Sequence, residues 1–342
     1  MSDGAIDGRI PELNLRRFDA GNAQRAAFLT ELGVAAHDVG FFYITGHGLD
    51  ASLQRELLHL ARQFFSLPDH DKLAIQMLNS PHFRGYNRVA AELTRGRPDR
   101  REQLDFGAER PALTRAGSEA WARLQGPNQW PSALPQMQSV VARWQNAAMK
   151  VLVRILRALA LTLGQPARVF EALYSGEPHY MTKLIRYPGL DRAGLIGQGV
   201  GAHKDSELLT LLLQDDHAGL QVETPQGWVD VPPRAGTFVV NIGELLELAS
   251  DGYLRATLHR VVSPAVGVSR ISAAFFLGAK LDAIVPLLPL PPALAAQARG
   301  AQSDPNNPLF REVGLNYLKG RLRSHPDVAA RHHADLSEAN AT

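Results

Sequence analysis

The chain of 342 residues contains no cysteine. That absence excludes disulfides, thiolate nucleophiles, iron–sulfur clusters and zinc–thiolate sites, and it leaves histidine and carboxylate side chains as the available metal ligands. Such a donor set suits a hard or borderline ion. An excess of either charge is also missing, with 36 Lys and Arg against 34 Asp and Glu and a formal net charge of +2. No global field draws the chain to nucleic acid or to a membrane, so neither is expected as a partner, and a small molecule is. Long apolar runs are lacking too. The longest, VLVRILRALALTLG from Val151, is interrupted by Arg154 and Arg157 and falls short of a bilayer span, so it reads as a buried helix. The N-terminal stretch MSDGAIDGRIPELNLRRFD is polar, without the apolar segment of a signal peptide, and the expected location is cytoplasmic. Oligomeric state leaves no mark in the sequence.

What is present suggests one elaborated domain over 1–342. It divides into a mainly helical N-terminal part with short strands (1–175), a β core (176–285) and a covering segment with a tail (286–342). IPELNL predicts a short strand, and Ala27, Phe28 and Leu32 stripe a helix from Ala23 to His37. GFFYITGHGL predicts a strand bounded by Gly40 and Gly46. Asp50 then caps a helix through Phe65, with Leu53, Leu57, Leu60 and Phe64 on one face. Residues 79–115 are rich in arginine and aperiodic, and read as a loop that is either solvated or at a site mouth. A helix from about Gln136 to Leu163 should back a sheet. From His179 to Leu277 come short β-type runs separated by turn residues, the rhythm of an antiparallel barrel or jelly roll, interrupted by a helical turn at GELLELAS.

Three of these runs carry the candidate chemistry. In GVGAHKDSELLTLLLQD, His203 and Asp205 are two apart, which in a strand puts both on one face and Lys204 on the other. A buried carboxylate needs a partner, and a metal is one. His333 and Asp335 repeat the same spacing in the polar tail, so the pair alone decides nothing. A facial triad requires a second imidazole, and His259 in ATLHRVV supplies it, sharing a strand face with Thr257 and Val261. In RISAAFFL, Arg270 and Ser272 again share one face, and an arginine aimed into a barrel needs an anion. Its planar fork fits a carboxylate, Ser272 adds a hydroxyl, and such charge-assisted contacts are worth roughly 1.5–3 kcal/mol each. The competing assignment for Arg270 is a structural salt bridge with Glu244 or Glu247. Tyr187, ahead of the proline that ends KLIRYP, is a further donor, and Arg84, Tyr86 and Phe106 are candidates for the substrate mouth. His47 and His217 are read as turn histidines, and His333 with Asp335 as no metal site.

In order and spacing, His203-x-Asp205, His259 and Arg270-x-Ser272 resemble the motif of the isopenicillin N synthase-like family of Fe(II)/2-oxoglutarate-dependent dioxygenases. GFFYITGHGL, FRGY, LIRYP and GLQVET are similar to other family segments, so the resemblance runs through nearly the whole chain. It implies a mainly β fold, a double-stranded β-helix or jelly roll packed against N-terminal helices. It also implies Fe(II) on His203, Asp205 and His259, 2-oxoglutarate anchored by Arg270, Ser272 and Tyr187, and dioxygen as oxidant. The reaction implied is oxidation of a small molecule with release of succinate and CO2. Isopenicillin N synthase itself uses its Arg-x-Ser for a substrate carboxylate and needs no 2-oxoglutarate, and some relatives form ethylene from 2-oxoglutarate. The pair therefore marks an anion site without naming the anion. A non-catalytic jelly roll that retains a ligand pocket is the remaining alternative.

Overall fold

β-Branched and aromatic runs form strands where the sequence places them. The computed structural model describes residues 9–113, 119–190, 198–301 and 307–338, so the start of the polar N-terminal stretch lies outside the described residues. The strands are β1 (Glu12–Asn14), β2 (Phe41–Thr45), β3 (Gly85–Asn87), β4 (Leu93–Thr94), β5 (Arg97–Pro98), β6 (Glu102–Gly107) and β7 (Tyr180–Pro188). They continue as β8 (Gln198–His203), β9 (Leu209–Gln214), β10 (Leu220–Thr224), β11 (Gly227–Asp230), β12 (Phe238–Ile242), β13 (His259–Val262) and β14 (Ser269–Leu277). An 8-stranded sheet has the order β1-β2-β12-β9-β14-β7-β6-β3, and a 4-stranded sheet the order β11-β10-β13-β8. Pairing is antiparallel except between β1 and β2.

The sheets face each other across an apolar layer in which Tyr43, Ile185, Tyr187 and Val239 of the large sheet meet Val200, Leu220, Val222 and Val261 of the small one. This is the jelly roll. The opposite face of the large sheet packs on helices. Ile271, Ala273 and Phe275 of β14 join Trp144, Leu152 and Ile155 of the long helix Met137–Thr162 in the larger core cluster. The helix Ala51–Phe65 is capped as expected, with the Asp50 carboxylate accepting from the Ser52 N–H at 2.7 Å. Gly40 is required where β2 begins, because at φ +71° an added Cβ would stand 2.0 Å from the Arg255 carbonyl oxygen.

One expectation is corrected. Residues 79–115 are not simply loop, because they contain β3 to β6, and every residue of β6 is buried. Its acidic residues are paired inside: Glu102 with Arg186 at 2.7 Å, and Asp105 with Arg321 at 3.1 Å. The C-terminal stretch packs onto the body of the protein as a helical cover. It forms the helices Pro326–His332 and Ala334–Glu338, His333 stacks on Phe83 with ring centroids 5.2 Å apart, and Asp335 pairs with Arg123 at 2.6 Å. No helix among the described residues is long and apolar enough to cross a membrane.

Candidate active site

Antiparallel pairing of β13 with β8 sets His259 opposite His203, and the register slips immediately beyond. The two rings stand 4.3 Å apart, inclined by 50°. β8 ends at His203, so Asp205 belongs to the turn before β9 rather than to a strand. That turn is pinned to the helix Glu244–Ala249: the Glu244 N–H donates to the Asp205 carbonyl at 2.8 Å, and the Gly243 N–H to that of Leu208 at 3.0 Å. Backbone anchoring, instead of strand alternation, brings Asp205 beside the histidines.

Asp205 Oδ1 lies 3.6 Å from His203 Nε2 and 3.5 Å from His259 Nε2. The remaining faces of all three groups are engaged. His203 Nδ1 is 2.8 Å from the Gly201 carbonyl and His259 Nδ1 3.1 Å from that of Thr257. Asp205 Oδ2 accepts from Asn241 Nδ2 at 2.8 Å and from the Thr210 hydroxyl. A carbonyl at each Nδ1 holds the proton there and leaves Nε2 with its lone pair. Two imidazole nitrogens and a carboxylate oxygen, mutually within 4.8 Å, therefore converge as the donor set of a non-haem Fe(II) facial site. Burial opposes the carboxylate charge, yet the two imidazoles outweigh it and hold Asp205 well below the usual range. Burial also lowers both imidazoles, but Asp205 lifts His259 above its ordinary value, while burial and the adjacent His259 keep His203 below. Asp215, Asp216 and His217 also lie close together. Asp215 is committed to the hairpin, accepting from the backbone N–H groups of Ile271 at 2.7 Å and His217 at 3.0 Å.

In β14, the alternation that sends Ile271, Ala273 and Phe275 into the helical core turns Arg270 and Ser272 between the sheets, in register with Tyr187 and Ile185 of β7. Arg270 is 1% exposed. It donates from Nε to the His217 carbonyl at 3.2 Å and from Nη2 to Gln214 Oε1 at 2.8 Å, and it lies 4.9 Å over the Tyr187 ring. Nη1 has no partner, and neither has the buried Ser272 hydroxyl. The salt bridge with Glu244 or Glu247 does not form, since Glu247 pairs with Lys204 at 2.8 Å and no acid among the described residues reaches Arg270. A buried cation with an open N–H beside an open hydroxyl has the chemistry to take an anion.

A cavity of about 470 Å³ opens onto the triad, between inward residues of β7 and β14 (Lys183, Phe276) and the helix Val313–Ser324 (Tyr317, Arg321). Its buried wall is charged. Glu92 meets Lys183 at 3.0 Å and Arg101 at 2.8 Å, and Arg101 also meets Asp99 at 3.2 Å. Glu207 and Glu244 face the same space; burial and the Asp205 charge push Glu207 up to about 8, and burial pushes Glu244 up to about 7.

Arg84, Tyr86 and Phe106 do not line this cavity. Arg84 is buried beside Gly107 and donates to the carbonyls of His82 at 2.7 Å and Leu124 at 3.0 Å. The Tyr86 hydroxyl donates to Glu102 at 2.5 Å, and Phe106 stacks on Trp130 at 4.5 Å. Sequence reasoning missed Thr210 and Asn241 behind the carboxylate, and Lys183 with its charged neighbours. Asn241 in the apolar run FVVNI, and Lys183 two positions before Ile185 on the inward face, were the available signals.

Residues 10–133 match the family described as non-haem dioxygenase in morphine synthesis N-terminal, and residues 178–279 match the 2OG-Fe(II) oxygenase superfamily. The chain is 37% identical over 335 residues to the 2-oxoglutarate-dependent dioxygenase frbJ of Dothideomycetidae sp. (strain 11243), covering 93% of this chain and 90% of that one. It is 34% identical to homoarginine-6-hydroxylase 2-ODD-C23.1 of Arabidopsis thaliana, covering 76% and 79% respectively. A full-length Neurospora crassa protein in complex with alpha-KG and thymine shares the fold, with a TM-score of 0.72, 22% identity and coverage of 95% and 97%. The chain belongs to the 2OG-Fe(II) oxygenase superfamily. It is an Fe(II)- and 2-oxoglutarate-dependent dioxygenase, an oxidoreductase that oxidises a small molecule with release of succinate and CO2.

Proposed function

We propose that His203, Asp205 and His259 hold the iron, and that Arg270 and Ser272, with Tyr187 beside them, take the distal carboxylate of 2-oxoglutarate. One observation carries the second assignment: Arg270 Nη1 and Ser272 Oγ are both buried and both without a hydrogen-bond partner. Groups of this kind need an acceptor, and a carboxylate satisfies both at once. The first is supported by the two Nε2 atoms and Asp205 Oδ1 being turned toward one another while their other edges are engaged.

When bound, iron and 2-oxoglutarate supply dioxygen chemistry, the decarboxylation of 2-oxoglutarate coupled to oxidation of a substrate C–H bond. The chain's own part is placement. Thr210 and Asn241 hold Asp205 Oδ2 so that Oδ1 faces the imidazoles, and backbone carbonyls orient both rings. Leu258 and Phe276 give the cavity apolar wall beside the triad, and the helix Val313–Ser324 adds Tyr317 and Arg321. Homoarginine in the plant relative's name and thymine in the Neurospora complex are small polar molecules, and a cavity of about 470 Å³ suits one of comparable size.

Anaerobic addition of Fe(II) and 2-oxoglutarate to the protein tests this reading. The weak visible charge-transfer band of the chelate is the expected result, lost when His259 is replaced by alanine. Protein that gave neither the band nor succinate in air would overturn it.

A further inference from the structure

The inward face of the large sheet carries a further polar side chain without a partner. Gln103 lies in β6, whose Leu104 and Phe106 belong to the helical core, so strand alternation turns Gln103 to the inter-sheet face with Arg101 and Asp105. It is 1% exposed, and neither its Nε2 nor its Oε1 has a hydrogen bond. Among the described residues it is the one side chain with two buried polar atoms in that state. The other buried amides are engaged: Asn87 with Met77, Gln145 with the Gly107 carbonyl, Asn241 with Asp205, and Asn316 with the Phe310 N–H. The charged neighbours of Gln103 on the same face are committed elsewhere. Arg101 meets Glu92 at 2.8 Å and Asp99 at 3.2 Å, Lys183 meets Glu92 at 3.0 Å, and Asp105 meets Arg321 at 3.1 Å. An amide buried with both ends open is unfavourable until a partner arrives.

Strand register indicates which partner. Ile185 of β7 is paired on one side with Ser272 of β14 and on the other with Gln103 of β6. The three residues form one row across adjacent strands, with the open Ser272 hydroxyl at one end, apolar Ile185 in the middle and the open amide at the other end. Strands about 4.8 Å apart put the two end Cα atoms roughly 10 Å from each other. Side chains reaching inward from that separation leave room for a carboxylate over Ile185. Arg270, one row along, lies against the Tyr187 ring of the same middle strand and keeps Nη1 open. Three buried side chains with open donors therefore share one stretch of the inward face, and an anion meets the need of each.

We propose that Gln103 closes the anion site on its β6 side, its amide N–H donating to the carboxylate that Arg270 and Ser272 hold. The proposal rests on that carboxylate being the distal one of 2-oxoglutarate. Water entering with the anion serves the amide carbonyl. Gln103 is here a binding residue for the cosubstrate.

The test is anaerobic calorimetric titration of the full chain, loaded with Mn(II), with 2-oxoglutarate. Gln103→Met keeps the length of the side chain and removes both polar atoms, so the Kd should rise about tenfold or more, the effect of losing one hydrogen bond to a charged acceptor. Because the amide is unpaired before 2-oxoglutarate binds, the same substitution should leave the thermal midpoint of the protein without 2-oxoglutarate unchanged or higher. A lowered midpoint with an unaltered Kd is the result for a purely structural glutamine, and it overturns the proposal. Gln103→Glu, of the same shape with a negative charge added, should weaken binding at least as far, and it carries the test if the methionine variant does not fold. A Kd within about twofold of wild type in either folded variant overturns the proposal. Arg270→Lys, titrated alongside, separates the two levels. Wild-type protein that does not bind 2-oxoglutarate defeats the assignment of the anion site, whereas weakened binding in Arg270→Lys with normal binding in Gln103→Met defeats only this inference.

Discussion

Replacing Arg270 by lysine separates the charge of the anion site from its geometry. The guanidinium is 1% exposed, spends Nε and Nη2 on His217 and Gln214, and holds Nη1 open. Lysine keeps the positive charge but has a single ammonium on a flexible stem in place of a planar fork. It cannot serve Gln214, the His217 carbonyl and an incoming carboxylate with the same geometry. Loss of one charge-assisted hydrogen bond to the carboxylate removes roughly 1.5–3 kcal/mol, which is about a 10- to 150-fold rise in the Kd for 2-oxoglutarate. Anaerobic calorimetry on the Mn(II)-loaded protein reads this directly, and thermal unfolding reads it independently. With 2-oxoglutarate at about one hundred times the wild-type Kd, the wild type gains about 2.7 kcal/mol of stability. A variant whose Kd has risen about 30-fold gains about 0.9 kcal/mol at the same concentration. A folded Arg270→Lys protein that binds 2-oxoglutarate within about twofold of wild type would refute the reasoning, because the open Nη1 would then have no part in holding the anion.

His259→Ala removes one of the three converging donor atoms, so bound iron and succinate formation should both be lost while the fold persists; unchanged turnover would remove His259 from the site. Asn241→Ala removes one of the two donors on Asp205 Oδ2, leaving Thr210, and should weaken Fe(II) binding by about 10-fold or more, with an unaltered iron titration as the contrary outcome. Arg321→Met strips Asp105, which is fully buried, of its 3.1 Å partner. Breaking a buried pair from one side should lower stability by about 3 kcal/mol, read from the urea midpoint. His325 is fully buried and pushed down to about 3, first by burial and then, against the pull of Glu92, by Arg321 and its neighbouring cations. Unfolded, it titrates near 6.5, so its contribution is complete above that pH and is lost progressively as the pH falls toward 3. At pH 5 the loss is about 2 kcal/mol relative to neutral pH; His325→Gln should flatten this part of the stability profile, and an identical slope in the variant would exclude His325 as its source.

The residues proposed for the metal and the anion were legible because each sits in or beside a strand whose apolar alternation fixes a face. With Ile271, Ala273 and Phe275 committed to the helical core, Arg270 and Ser272 had to look inward. His259 was placed by Val261 in the same way. Asp205 lies beside the two histidines for a different reason from the one alternation supplies: the strand stops at His203, and the turn is held by the backbone of residues 243–245. A spacing of two satisfies both geometries, so the motif alone does not distinguish a strand from an anchored turn.

The cavity wall was illegible for a more general reason. Patterning treats charge as an outward signal, and here the inward positions are charged. EQLDFG reads as solvated loop because Glu102 and Asp105 look exposed, yet both are buried against Arg186, Lys183 and Arg321, cations drawn from distant parts of the chain. Such pairings satisfy the cost of burial only after the sheet and the C-terminal helix have met, so no local window of sequence contains the evidence for them.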